Sequence, residues 1–234
     1  MKPLKLKSNI TVHVGIPWLR DHDEFSSHLP HCLNAIEAQE TSIKILKPQL
    51  TSTYSGKFEE GQRSLLYAIM DRMNAVIEGF TQSKATHLWM VDADVEPPPH
   101  ALETLLRHDA DLASGVYPFH NWRDCHAMMG GRIGEEECGF FVPRNWDYMK
   151  GHVLGVNERV SAGSGCLLIK RRVVMRHHPK ISPLRFDKKD GRCGADVYFW
   201  KRAQDAGFTA RLDANVVCGH RPDYPLSKIE EWLI

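Results

Sequence analysis

Residues 88–99 read Leu-Trp-Met-Val-Asp-Ala-Asp-Val-Glu-Pro-Pro-Pro. Four consecutive apolar residues suit a strand buried on both faces, as in the middle of a parallel sheet. The three prolines forbid that strand to continue, because proline has no N–H to give to a ladder. A buried strand is thus forced to leave its core at two carboxylates, Asp92 and Asp94, and stop. Any fold for this chain must place Asp92-Ala93-Asp94 at the C-terminal end of an interior strand.

The flanking sequence supplies further strands and helices in alternation. Ile10, Val12 and Val14 alternate up to Gly15-Ile16-Pro17, a first strand. Residues 29–39 space Leu29, Leu33 and Ile36 as a helix, and 42–48 form a short strand closed by Pro48. Residues 51–62 read as a polar loop. Leu65, Leu66, Ile69, Met73, Val76, Ile77 and Phe80 give one apolar face to a long helix over 61–80. Strand 85–91, a proline-started helix over 98–108 and strand 110–119 follow. Order loosens from about 120 to 160 and returns in "SAGSGCLLIKRRVV", 161–174. A helix over 193–208 ends at Gly207, then a strand or strand pair over 209–220 and a short amphipathic tail, 225–234. This pattern predicts an α/β domain with a mixed, mostly parallel central sheet flanked by helices.

The bulk numbers narrow the function. The chain has 234 residues, 30 Lys plus Arg and 29 Asp plus Glu, for a formal charge of +1. Nothing in that balance steers it to nucleic acid or an anionic surface. No apolar run reaches the ~20 residues of a membrane span, and the N-terminus lacks the apolar core of a signal peptide. A cytoplasmic protein, or one peripheral to a membrane, is expected. The six cysteines form no C-x-x-C pair, and free thiols are expected.

In open α/β sheets ligands bind beyond the C-terminal strand ends. Gly15-Ile16-Pro17, Asp92-Ala93-Asp94 and Tyr117-Pro118-Phe119 all fall there. Hard cations such as Mg²⁺ take one or two carboxylates plus phosphate oxygens. On an extended segment a D-x-D aims both carboxylates to one face. The other reading is an Asx-turn or a helix cap, with Asp94 or Glu96 capping the 98–108 helix. Arg72 and Asn74 lie in the long helix, where a guanidinium suits phosphate oxygens but equally suits a solvated face. Gly163, Ser164 and Gly165 let a ligand approach the backbone, or simply turn the chain. Asp196 starts a helix, as a general base or as an acid satisfying the dipole. His220 ends an apolar strand, and imidazole is a ligand for Mn²⁺-like metals. Trp122, Trp146 and Tyr148 offer an aromatic surface for a sugar, or packing for a long loop.

Taken in order, "ATHLWMVDADVEPPPHALETLL", "DADLASGVYPF", "SAGSGCLLIKRRVV" and "GADVYFWKRAQDAGFTARLDANVVCGH" resemble the GT-A-fold glycosyltransferases, family 2-like members in particular. The resemblance runs from about residue 10 to 220. It implies a single Rossmann-like domain over 1–234, with residues 9–119 as a nucleotide-sugar-binding half, 120–220 as an acceptor-side half and 221–234 as a tail. It implies a metal-dependent transfer of a sugar from a nucleotide-diphosphate donor, UDP- or GDP-linked, to a hydroxyl acceptor. Asp94 would bind Mn²⁺ or Mg²⁺ directly, Asp92 would contact the ribose or the metal through water, and His220 would complete the shell. Arg72 and Asn74 would touch the nucleotide or diphosphate, and Ile16 and Pro17 would line the base pocket. Gly163, Ser164 and Gly165 would lie on the acceptor side, and Asp196 would match the second acid of the family's E-D pair, the base in inverting members. The chain departs from that pattern at Ala195, which stands for the first acid, at Trp200, which stands for a cysteine, and at Met73, which separates Arg72 from Asn74. Stereochemistry therefore stays open. Two other functions compete: a non-catalytic nucleotide-sugar-binding protein, and a sugar nucleotidyltransferase, which usually needs a Gly-rich basic loop that "GIPWLRDHDEF" lacks.

Overall fold

The structure is a computed structural model and describes residues 9–18, 27–51, 62–118, 129–133, 149–175, 185–187 and 194–228, with the backbone alone for 62–67. Trp122, Trp146 and Tyr148, with residues 119–128 and 134–148 generally, and the end of the tail lie outside the described residues.

Its centre is an eight-stranded sheet. The strands are β1 (Thr11–Pro17), β2 (Lys44–Ile45), β3 (Gln49–Thr51), β4 (His87–Val91), β6 (Leu112–Val116), β8 (Val153–Leu154), β10 (Cys166–Lys170) and β11 (Ala210–Val217). They lie in the order β2-β1-β4-β10-β6-β11-β8, with β3 also on β1. β1, β2, β3, β4, β6 and β11 run one way, and β10 and β8 run against them. The mixed, mostly parallel sheet read from the sequence is the sheet observed.

Side chains along the interior strands alternate between two cores, as a period of two requires. Leu88, Met90, Leu167 and Ile169 face a core closed by Met73, Val76, Ile77 and Phe80 of helix α2 (Gln62–Gln82) and by Phe199 and Trp200 of helix α5 (Ala195–Asp205). Trp89, Val91, Cys166 and Leu168 face the other core, closed by Leu29, Cys32 and Ile36 of α1 (Leu29–Glu37) and by Leu102, Leu105 and Leu106 of α3 (Ala101–Arg107). The unbroken apolar runs at 88–91 and 166–169 are thus strands buried on both faces. The thiols of Cys32, Cys166 and Cys218 are free and buried.

Several elements differ from expectation. Only Lys44–Ile45 of 42–48 is a strand, and β3 lies at the edge of the stretch read as loop. The helix expected over 98–108 begins after the prolines, with His100 as its N-cap. Helix α5 stops at Asp205, with Gly207 at φ +83° just beyond it. Short α4 (Arg171–Met175) follows β10 directly. Two small antiparallel ladders were not foreseen: β5 (Val95–Glu96) with β12 (Gly219–His220), and β7 (Gly130–Arg132) with β9 (Val160–Ala162).

The reversed strand β10 arranges the functional edge. It enters between β4 and β6 with Cys166 opposite Val91. The 161–165 segment therefore arrives beside Asp92, at the edge where β1, β4, β6 and β11 all end.

Candidate active site

Residues from the ends of β1, β4, β6, β10, α5 and the Gly219–His220 strand, and from the middle of α2, meet around a cavity of about 240 Å³. Pro17, Arg72, Asp92, Ala93, Asp94, Tyr117, Ser164, Asp196 and His220 border it, with Ile69, Met73 and Met129 forming an apolar wall.

Asp92 and Asp94 do not lie on extended backbone as expected. The Val95 N–H donates to Asp92 O at 3.0 Å and closes a turn across Asp92–Val95. The turn is held on both sides. Asp92 N donates to Gly165 O at 3.2 Å, and Arg221 N donates to Asp94 O at 2.9 Å. The segment is a turn, and both acids border the cavity. Neither Asp94 nor Glu96 caps α3, whose N-cap makes no side-chain bond. Glu96 instead accepts from Arg221 Nε at 2.6 Å and from Leu226 N at 2.7 Å, fixing the chain that follows His220.

The β5–β12 ladder pairs His220 with Val95 and so carries the imidazole to Asp94. His220 Nδ1 lies 2.6 Å from Pro118 O. A carbonyl can only accept, so Nδ1 bears a proton in that hydrogen bond, and Nε2 is turned toward Asp94. That Nε2 lies 3.5 Å from Asp94 Oδ2, both residues being buried. The gap is close to the ~3 Å between neighbouring donors on one small divalent ion. A protonated Nδ1 held by a carbonyl is also the usual way a metal-binding histidine is oriented. Among the described residues no three His, Cys, Asp or Glu side chains converge as a metal cluster. Asp94 and His220 are two side chains that could ligate an ion, with its remaining ligands left to a bound anion or water.

The cavity carries an excess of acid. Burial pushes the Asp92 carboxyl well above the ordinary carboxylate value, and the charges of Asp94 and Asp196 push it the same way. Ser164 Oγ approaches Asp92 Oδ2 at 3.5 Å and opposes this weakly. Asp196 is the second residue of α5, and its Oδ1 accepts from Val197 N at 2.8 Å. Burial outweighs that bond and lifts its carboxyl to about 6.

Other predicted residues lie elsewhere or act otherwise. Ile16 is in the core, and only Pro17 of that pair borders the cavity. Arg72 borders it too, but its Nη1 donates to Trp18 O at 2.5 Å and Thr51 O at 2.6 Å, tying together the ends of β1 and β3. Asn74 is away from the cavity. It makes a two-way amide pair with the Phe186 backbone, each bond 2.9 Å, and so pins residues 185–187 to α2. Gly163 and Gly165 lie behind the cavity wall, packed on Tyr117. Tyr117 itself was missed. Its position at a strand end was visible, but its buried hydroxyl was not.

No protein-family model matches the chain, and no curated protein matches it. Solved structures do. A197 from STIV matches with a TM-score of 0.54 at 16% identity, over 92% of this chain and 86% of A197. S. aureus TarS residues 1–349 in complex with UDP-GlcNAc matches with a TM-score of 0.50 at 10% identity, over 91% of this chain. The match spans 59% of that TarS chain, and the same fragment in complex with UDP aligns alike. The fold is similar to that of GT-A glycosyltransferase structures. Among the described residues no helix is long and apolar enough to cross a membrane.

Proposed function

We propose that the protein is a metal-dependent glycosyltransferase that moves a sugar from a nucleoside-diphosphate donor to a hydroxyl acceptor. The approach of Asp94 and His220 to 3.5 Å, in a cavity shared with Asp92 and Asp196, carries this reading. Beside the carboxyl groups of Asp92, Asp94 and Asp196, a bound diphosphate would be favoured by a compensating cation in addition to Arg72. Asp94 and His220 are the pair that would hold Mn²⁺ or Mg²⁺, and the ion would stabilise the charge of the departing diphosphate. UDP- and GDP-sugars are the candidate donors, and the complexes of TarS with UDP and UDP-GlcNAc on a similar fold favour UDP.

The chain's own groups supply the rest. Asp92, beside Ser164, lies within the cavity to accept from a donor hydroxyl. Arg72 stiffens the wall at Pro17 while adding positive charge against the diphosphate. Asp196 takes the proton from the acceptor hydroxyl. The acceptor oxygen then bonds to the anomeric carbon, the bond from that carbon to the diphosphate oxygen breaks, and the nucleoside diphosphate leaves with its electrons. A carboxyl held near 6 is matched to that task at neutral pH, since it is ionised yet more basic than a solvated aspartate.

A panel of UDP-, GDP- and dTDP-sugars incubated with Mn²⁺ tests the reading through release of nucleoside diphosphate, with and without hydroxyl acceptors. Release from one donor that stops with EDTA supports it. Tight binding of a donor with no release under any acceptor would leave a binding protein. Pyrophosphate release from a nucleoside triphosphate and a sugar phosphate would identify a nucleotidyltransferase.

A further inference from the structure

We infer that Tyr117 is the positioning residue of this site: its hydroxyl holds the 163–165 loop against Asp92, and its ring supports the imidazole of His220. Tyr117 is buried one residue beyond β6, at the junction of the two groups of ligand-facing residues.

On one side, Tyr117 Oη accepts from Gly165 N at 3.0 Å in a buried bond. Gly165 O in turn accepts from Asp92 N at 3.2 Å, and Ser164 Oγ lies 3.5 Å from Asp92 Oδ2. The hydroxyl therefore fixes a loop that touches Asp92 through both backbone and side chain. On the other side, the Tyr117 and His220 rings meet edge to face with centroids 5.0 Å apart. The next carbonyl, that of Pro118, accepts a hydrogen bond from His220 Nδ1–H. Residues 117 and 118 thus fix the plane of the imidazole and hold its Nδ1–H, so that Nε2 faces Asp94.

The small residues of "SAGSG" acquire a reason from this packing. A Cβ on Gly163 would lie 2.0 Å from Tyr117 Oη, and one on Gly165 would lie 2.8 Å from Tyr117 Cζ. Both distances are far inside van der Waals contact. The glycines make room for the tyrosine, rather than for a ligand approaching the backbone.

The test uses Tyr117→Phe, Gly163→Ala and the double variant, and only its last readout rests on the proposed function. Hydrogen–deuterium exchange of the ligand-free protein is followed at peptides covering 161–166, with β1 and β11 peptides as controls. Tyr117→Phe removes one buried hydrogen bond and is expected to speed exchange at 161–166 about tenfold, with the controls unmoved. Urea unfolding of all four proteins gives the coupling: Gly163→Ala is expected to destabilise wild type more than it destabilises Tyr117→Phe, because the worst contact is with the hydroxyl. Unchanged exchange at 161–166, a rise shared equally by β1 and β11, or equal costs of Gly163→Ala in both backgrounds would each overturn the inference. Affinity for UDP and GDP with Mn²⁺, by calorimetry, is expected to fall about tenfold in Tyr117→Phe. Equal affinity in the two proteins would deny the residue its part in the site. A wild type that binds neither nucleotide would sink the proposed function instead, with exchange and coupling still deciding the role of Tyr117.

Discussion

His220 Nε2 and Asp94 Oδ2 lie 3.5 Å apart, although the two residues belong to opposite halves of the chain. Two backbone devices bring this about. The β5–β12 ladder sets His220 opposite Val95, and the Pro118 carbonyl turns the ring so that Nε2 faces the acid. Changing a group that merely orients a metal ligand costs roughly 10–100-fold in metal affinity. Asp94→Ala and His220→Ala each remove a proposed ligand, so the Mn²⁺-dependent part of nucleotide binding is expected to fall by the top of that range or more. Titration of UDP with Mn²⁺ and with EDTA separates that part from the rest. Variants that keep the wild-type response to Mn²⁺ would remove the ion from this pair.

The activity should carry the signature of Asp196. A base must be ionised to act, and burial lifts this carboxyl to about 6. Turnover at saturating donor is expected to rise about tenfold per pH unit below that value and to level off above it. Asp196→Asn should lower turnover by roughly 10²–10⁴-fold and leave donor affinity near wild type. A wild-type profile that is flat from pH 5 to 8 would assign the proton transfer to another group.

The same residue should make the protein less stable than it need be. A carboxyl held near 6 in the folded chain, against 3.8 for an ordinary aspartate, costs the folded state about 3 kcal/mol once it is ionised. Since the folded value is raised, the folded chain binds the proton more tightly than the unfolded chain. The penalty is therefore complete above about pH 6 and absent below about pH 4. Asp196→Asn keeps an oxygen for Val197 N without the charge. It is expected to melt several degrees higher than wild type at pH 7.5 and at nearly the same temperature at pH 4. A variant that melts lower at pH 7.5 would show that the acid is held by bonds stronger than its burial cost.

Much of this site was legible in the sequence because its parts sit at strand ends that local signals mark. Apolar runs stopped by Pro17, by the prolines after Glu96 and by Gly219 locate Asp92, Asp94 and His220 at one edge. The direction of β10 was not legible, since Leu167, Leu168 and Ile169 bury both faces whichever way the strand runs. Nor were β5 and β12, which are two residues long and carry no alternation. Arg72 and Asn74 have partners that the sequence does not reveal. A polar side chain on a mostly apolar helix face looks ready for a ligand, yet backbone carbonyls and amides distant in sequence claim it here. Tyr117 was hidden for the same reason, because its partners Gly165 and His220 come from the loop before β10 and from β12.

At the end of the sheet opposite the site, Asp111 joins three segments through one buried carboxylate. It accepts from Arg172 Nη2 at 2.6 Å, from Thr209 N at 2.9 Å and from Thr209 Oγ1 at 3.0 Å, with a further bond from Arg172 Nε. Burial alone would raise this carboxyl, but the bonds from Arg172 and Thr209 outweigh it and hold it below the ordinary value. The side chain of Asp111 is inaccessible, whereas that of Arg172 is 61% exposed. The two partners should therefore differ in cost. Asp111→Ala removes a buried carboxylate together with its bonds from Arg172 and Thr209 and is expected to lose about 3 kcal/mol. Arg172→Ala, at a solvated ion-pair partner, should lose no more than ~1 kcal/mol. Because the folded carboxyl is lowered, its contribution is present above about pH 4 and fades as the pH falls through the folded value. Urea unfolding at pH 7 and pH 3 checks both points: the wild type's advantage over Arg172→Ala should shrink at pH 3, and Asp111→Ala should lower the midpoint at pH 7 without changing the slope. Equal losses for the two variants at pH 7 would show that the exposed arginine, and not the Thr209 backbone, is what Asp111 holds.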